Sequence, residues 1–394
     1  MIRSRGGLVS KARAARKCAP LMVPSRTRAA YVGWLGRQNM GDEAMFLAYR
    51  RAFSGWRLVQ PPRAEVLSVL DSLTPHRLLD AVILGGGTLV GWPSYRNALA
   101  RLLSLDDGLP AVTMGIGVED PIFLDRDEAL AGSILAAEDS LGIERTNGRS
   151  RRSPGNACLE RELERWAEML SGFRRVSVRG PRSREILAGF GLATEVVGDP
   201  ALLLADDSPS DGVTERLLGI NIGVSRALWG DPDALLEQVV TFGREMVRRG
   251  WRLRFVPVWP RDVPSILDAA RRIGSNVEVF EDYLDLPRLL SAIRECQVFV
   301  GQKLHAVVFA SAVYVPSIML EYQPKCADFQ RSLGGDQYMV RTDRVDASAL
   351  TEMAEDLAAR YDYHRASLVS GVSSLRGRLE REVEEIRRIV DEGR

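Results

Sequence analysis

"VFVGQKLHAVVFASAVYVPSIMLEYQPK", residues 298 to 325, packs three changes of direction into one stretch. An apolar run from Val298 to Gly301 ends in a glycine, a helix-length apolar segment covers residues 304 to 313, and a second apolar run spans Ser317 to Leu320. Strand, helix and strand at that spacing predict a parallel βαβ unit, since the helix carries the chain back across the sheet. His305 to Leu320 is uncharged over 16 residues with Pro316 inside it, too short and too interrupted for a membrane span. It reads as a buried helix followed by a buried strand. Lys303 and His305 therefore stand out, because an unpartnered cation in such surroundings costs on the order of several kcal/mol.

Outward from this unit the same rhythm covers most of the chain. In the first half, strands are predicted at residues 29–33, 80–84, 111–115, 175–179 and 195–197, with helices starting near Asp42, Ser94, Asp125, Ala157 and Pro181. In the second half, strands are predicted at 217–222, 252–256, 277–280, 298–301 and 317–320, separated by helices such as 232–249. The turn-forming cluster "ADDSPSDG", residues 205 to 212, separates the two sets. The fold class is α/β: two tandem Rossmann-like domains facing a central cleft, residues 29–205 and 213–345 with a linker at 206–212, followed by C-terminal helices over 346–394. Their shared cleft, lined by the carboxyl ends of strands, is where a ligand is expected. The stretch at 141–156 reads as a basic surface loop.

Composition supports two domains. The 394 residues exceed what one core usually organises, and 45% hydrophobic with 27% charged residues is an ordinary globular balance. Fifty-three basic and 52 acidic side chains provide no global field to recruit nucleic acid. Cysteines 18, 158, 296 and 326 have no CxxC spacing and the histidines are only 76, 305 and 364, so neither a metal centre nor a disulfide framework is expected, and a cytoplasmic location fits. The first 28 residues carry eight basic side chains and no acid. They read as a mobile basic arm, with contact to an anionic membrane surface, and so a peripheral location at the inner face, as the competing reading.

Four stretches could carry chemistry. In "YVGWLGRQNMGDEAMFLAYRRAF", residues 31 to 53, a glycine-bearing turn leads into a helix whose first turn holds Asp42 and Glu43. Those carboxylates would repel a phosphate, so the loop suits hydroxyls better, with Asn39, Asp42 and Glu43 as the gripping side chains. Asp42 as a simple N-cap is the competing reading. In "AVILGGGTLVGW", residues 81 to 92, the backbone at Gly86 and Gly87 could line the acceptor side, although close packing is another reason for glycines there. "SVRGPRSREIL", residues 177 to 187, places Arg179 at a strand's carboxyl end, where its planar fork suits a carboxylate or phosphate. The opening stretch brings Lys303, His305 and Lys325 to adjacent strand ends. The acid pairs "DRD" at 125–127 and "DPD" at 231–233 are better read as helix starts than as metal ligands.

Together, "GWLGRQNMGDEA", "ILGGGTLVG", "GIG", "SVRGPRS", "VVGDPALLL", "GINIG" and "GQKLHAVVFASAVYVPSIMLEYQPK" resemble the polysaccharide pyruvyl transferase family, from about residue 30 to about residue 335. The resemblance implies a two-lobed, GT-B-like architecture and transfer of a pyruvyl group from phosphoenolpyruvate onto two hydroxyls of a sugar as a ketal. Phosphoenolpyruvate would be co-substrate, a sugar or lipid-linked glycan of the cell surface the acceptor, and no cofactor is implied. Residue by residue, the family arginine falls on Arg179, its basic-x-His motif on Lys303 and His305, and its later lysine on Lys325. His305 is then the candidate acid, and Asp42 or Glu43 the candidate base. The family commonly has arginine where this chain has Lys303, and there is no histidine between Gly91 and Gly180. Two rival readings share these residues: a GT-B glycosyltransferase using a nucleotide sugar, with Glu321 on the ribose, and a non-catalytic glycan-binding relative. The charged C-terminal helices could pack back on the sheets or support a homo-oligomer.

Overall fold

The structure, a computed structural model, describes residues 27–61, 78–106, 108–124, 156–205, 213, 215–223 and 228–393. The basic arm up to residue 26, the linker at 206–212, the helix expected from Asp125, the "DRD" pair and the loop at 141–155 lie outside the described residues.

The first lobe contains β1 (Arg28–Val32), α1 (Met40–Ala52), β2 (Arg57–Val59), β3 (Ala81–Leu84), β4 (Gly87–Val90), α2 (Pro93–Leu103), β5 (Ala111–Thr113), β6 (Ile116–Val118), α3 (Pro121–Leu124), α4 (Asn156–Ser171), β7 (Ser177–Val178), α5 (Pro181–Gly189) and β8 (Glu195–Val196). Its strands pair in parallel in the orders β2-β1-β3-β5 and β4-β6-β7-β8. The two sheets are halves of one: β3 runs into β4, β5 runs into β6, and a parallel bridge joins Val112 to Arg175 just ahead of β7. Glycines mark the break. Gly115 has φ +65°, and a Cβ there would lie 2.4 Å from the carbonyl oxygen of Gly198; a Cβ on Gly86 would lie 2.4 Å from the sulfur of Met45. Arg28, counted above with the basic arm, opens β1 buried and paired with Asp80 at 3.3 Å.

The second lobe contains β9 (Leu217–Asn221), α6 (Pro232–Arg248), β10 (Arg252–Phe255), α7 (Val263–Ile273), β11 (Val277–Val279), α8 (Leu286–Arg294), β12 (Val298–Gly301), α9 (Leu304–Ala312), β13 (Ser317–Glu321), α10 (Pro324–Leu333) and β14 (Met339–Arg341). Its sheet is parallel throughout, ordered β11-β10-β9-β12-β13-β14. That is the doubly wound order, whose switch point between β9 and β12 opens a crevice at the strands' carboxyl ends. "DPD" is a helix start: Asp231 accepts hydrogen bonds from the amides of Asp233 and Ala234, both at 2.8 Å.

Helix α9 holds the lobes together. Every one of its residues except His305 is buried, which explains why it is apolar on all sides. It packs on β12 and β13 of its own lobe and on α1 and the 3-10 turn Pro200–Leu204 of the other, within one core that includes Tyr31, Met45, Phe299 and Phe309. Two helices close the chain, α11 (Ala347–Ala359) and α12 (Tyr361–Glu392). The second returns to the first lobe, where buried Glu382 pairs with Arg175 at 2.8 Å and Arg387 donates to the carbonyl of Ala52 at 2.8 Å. At the cleft mouth the amide of Met40 donates to the carbonyl of Val258 at 2.9 Å, and the indole of Trp259 to the carbonyl of Arg37 at 3.1 Å.

Candidate active site

Arg179, Lys325 and His305 meet the side chain of Asp199 where the lobes face each other. Arg179 follows β7 and is 1% exposed. Gly117 makes room for it, since a Cβ there would lie 2.6 Å from Nη2. Nη2 donates to Thr88 Oγ1 at 3.3 Å and lies 3.8 Å from Asp328, while Nε and Nη1 are buried without a hydrogen-bond partner. A buried guanidinium with two unused donor nitrogens is costly, and an anion with two oxygens would satisfy it.

His305, in the first turn of α9, lies against α1, where a Cβ on Gly41 would sit 2.1 Å from Nδ1. Gly41 thus admits an imidazole rather than a phosphate. The other ring nitrogen, Nε2, is 3.7 Å from Asp199 Oδ2, and neither atom has a hydrogen-bond partner. Asp199 is fully buried and fixed through its other oxygen, which accepts from the amide of Ala201 at 3.0 Å. Burial pushes the imidazole down to about 4, with Arg179 and Lys325 adding to the effect against the opposing pull of Asp199, so the ring is neutral at pH 7. Lys325, in the first turn of α10, stands with its ammonium 4.9 Å from the ring centre of Tyr322. Burial lowers its pKa, and Glu119 and Asp42 pull it back up.

Two further acidic side chains face this cluster from the first lobe. Asp42 is 8% exposed, and burial drives its pKa up to about 8 although Lys325 opposes the shift; it holds a proton at neutral pH. Glu119, just past β6, accepts from the indole of Trp92 at 2.9 Å. Its pKa is raised by burial against the pull of Lys325, that hydrogen bond and Arg179.

The remaining predicted residues lie around this cluster in other roles. The ammonium of Lys303 is 3.7 Å from Asp262 and 5.8 Å and 5.5 Å from the ring centres of Trp259 and Tyr322, and its amide donates to Asn221 at 3.0 Å. Asn39, not Asp42, caps α1, accepting from the amide of Gly41 at 3.1 Å. Glu43 folds back to accept from the amide of Gly36 at 2.7 Å, closing the loop before α1. Gly86 is packed under Met45, while Gly87, with φ +103°, lies beneath Asp42. Glu321 is buried beside Trp229 and Arg341.

Asp199, Glu119 and Asp328 were not singled out by the sequence reading. Asp328 of α10 caps α5 from the opposite lobe: Oδ1 accepts from the amides of Arg182 at 2.9 Å and Ser183 at 3.2 Å, and Oδ2 from the hydroxyl of Ser183 at 2.6 Å. Only the "GDP" triplet around Asp199 carries a local signal, an acid before a proline at a helical turn.

Comparison with known proteins identifies a family and a fold. A family model described as polysaccharide pyruvyl transferase matches residues 39–324. No curated protein matches the sequence. Among solved structures, the chain is similar to S. aureus MnaA in its UDP co-structure, with TM-score 0.56 and 10% identity over 93% of this chain and 97% of that one. It is also similar to Os79 of O. sativa in complex with UDP, with TM-score 0.54 and 11% identity over 93% and 100%. A third is Phytolacca americana UGT2 with UDP-2-fluoro-glucose and pterostilbene, with TM-score 0.53 and 10% identity over 93% and 100%. At such identities the likeness is one of fold, and the fold is GT-B-like. Among the described residues, no helix is long and apolar enough to cross a membrane.

Proposed function

The chain belongs to the polysaccharide pyruvyl transferase family, and on that premise we propose that it moves a pyruvyl group from phosphoenolpyruvate onto two hydroxyls of a sugar in a cell-surface glycan or its precursor, forming a ketal and releasing phosphate. The observation that carries this reading is Arg179, fully buried with two donor nitrogens unused beside Lys325 and His305. A small donor with a carboxylate and a phosphate on one carbon frame answers that need.

Proton balance explains the rest of the site. Two sugar hydroxyls lose one proton each; the methylene carbon of the donor gains one and the departing phosphate the other. Neutral His305, with Nε2 3.7 Å from Asp199 Oδ2, is suited to take a hydroxyl proton, and protonated Asp42 to supply one. These roles are the reverse of the sequence expectation, because burial lowers the imidazole and raises the carboxyl. Arg179 and Lys325 would hold the anionic ends, with Lys303 near the same Tyr322 ring as Lys325. No step in this scheme uses a metal or a cofactor.

A nucleotide-sugar glycosyltransferase would want similar cations, but Glu321 is already engaged beside Trp229 and Arg341 rather than open for a ribose. Thermal-shift titration with phosphoenolpyruvate and with UDP-sugars separates the two readings. Stabilisation by phosphoenolpyruvate that is absent in Arg179→Ala, with phosphate release on adding acceptor, is the expected result. Stabilisation by a UDP-sugar alone would refute it.

A further inference from the structure

The strand β6 carries a second feature of the cleft. Glu119 follows the strand directly and continues its pairing, its amide donating to the carbonyl of Val90 at 2.9 Å, so that Gly117 and Glu119 are alternate residues about 7 Å apart along the chain. The guanidinium of Arg179 fills the space over Gly117, so the carboxylate of Glu119 stands one step further along the cleft floor. It is held there: Trp92 donates its indole N–H to Oε1 at 2.9 Å, and Gly91, at φ +110°, lets the two segments approach so closely that a Cβ on it would be 2.9 Å from the Cβ of Glu119. Trp92 is only half-buried, with one edge committed to the carboxylate. A fixed carboxylate beside a fixed indole suits a sugar ring, which offers hydroxyls at its rim and C–H groups on its face.

We propose that Glu119 and Trp92 form the acceptor subsite, the carboxylate accepting hydrogen bonds from a hexose's hydroxyls and the indole packing against the ring beside the anion held by Arg179. The choice of a sugar rests on the pyruvyl-transfer reading. Asp42 lies above Gly87 of β4, the strand paired with β6, so the sugar would lie between the proton-bearing group and Glu119. The competing role for Glu119 is to neutralise Lys325, whose charge it feels. The two roles differ in which ligand they affect.

The test uses the full chain and its Glu119→Gln and Trp92→Ala variants, without phosphoenolpyruvate, titrated with methyl glucoside, methyl galactoside and methyl mannoside by saturation-transfer NMR. Wild type is expected to bind at least one hexoside, and each variant to bind it at least tenfold more weakly. In parallel, Glu119→Gln should keep its thermal shift with phosphoenolpyruvate, or enlarge it as Lys325 loses a counter-charge. Unchanged hexoside affinity in the variants, or no hexoside binding by wild type, overturns the proposal. If Glu119→Gln fails to fold, Trp92→Ala decides on its own. Hexoside binding lost in the variants while wild type shows no shift with phosphoenolpyruvate would refute pyruvyl transfer and leave this subsite standing.

Discussion

Replacing Asp42 by asparagine should stabilise the protein while inactivating it, and the size of the effect follows from burial. The carboxyl titrates near 3.8 when solvated and at about 8 in the fold. The folded state therefore keeps a proton that the unfolded chain has already released. Below the solvated pKa both states are protonated and burial of this group carries no ionisation penalty. As pH rises the unfolded state gains about 1.4 kcal/mol per pH unit, until the folded carboxyl also ionises and the penalty levels off at roughly 5–6 kcal/mol. Asparagine does not titrate, so any fixed cost of burying it cancels in the pH dependence. The stability of Asp42→Asn relative to wild type should thus rise by under about 1 kcal/mol at pH 4, roughly 4 kcal/mol at pH 7 and nearly 6 kcal/mol at pH 9. Urea unfolding of both proteins at those three pH values measures it, alongside phosphate release, which should fall at least a hundredfold if the group donates a proton. A gap that stays flat, or that turns against the variant as pH rises, would show an ionised carboxylate paired with Lys325 and refute the reasoning.

Arg179→Met should abolish stabilisation by phosphoenolpyruvate without lowering Tm, because it removes a buried charge whose donors are only partly satisfied; a lower Tm with ligand binding intact would contradict the role assigned to the guanidinium. Asp199→Asn should cut kcat about a hundredfold while the KM for phosphoenolpyruvate stays within about threefold, since the carboxylate favours the imidazolium that forms as the ring takes a proton and is not assigned to the donor; equal losses in both would point to a binding role. Asp328→Ala strips α5 of its cap and should cost about 1–3 kcal/mol, read as a lower Tm together with weaker binding of phosphoenolpyruvate, whereas an unchanged Tm would mean that solvent replaces the cap.

The parallel architecture was readable because its strands are short apolar runs: all ten predicted strands appear within two residues of their expected ends. Four more were not foreseen. β4 and β6 follow their predecessors across a glycine break without leaving the apolar run, while "RLV" in β2 and "MVR" in β14 are too short to show alternation. At the site, periodicity and strand ends pointed to Arg179, His305 and Lys325, since a cation in an apolar setting is conspicuous. Lys303 sits only two residues from His305, yet its ion-pair partner is Asp262, which only the fold supplies. Carboxylates were harder to judge. Asp42, Asn39 and Glu43 share one helix start, and spacing alone could not say which of them caps it, which closes the loop and which faces the cleft. Glu119 and Asp328 acquire meaning through partners 27 and 145 residues away, a separation no local pattern records.

The long helix α12 also bears on how the protein is made. Glu382 lies 207 positions after its partner Arg175, and Arg387 lies 335 positions after Ala52. At translation rates of about 5–20 residues per second, the ribosome needs roughly 10–40 s to go from the first of those partners to the second. Throughout that interval the nascent first half carries apolar surface that α12 will eventually cover, so a stop codon placed shortly before residue 382 would damage the half of the molecule synthesised first.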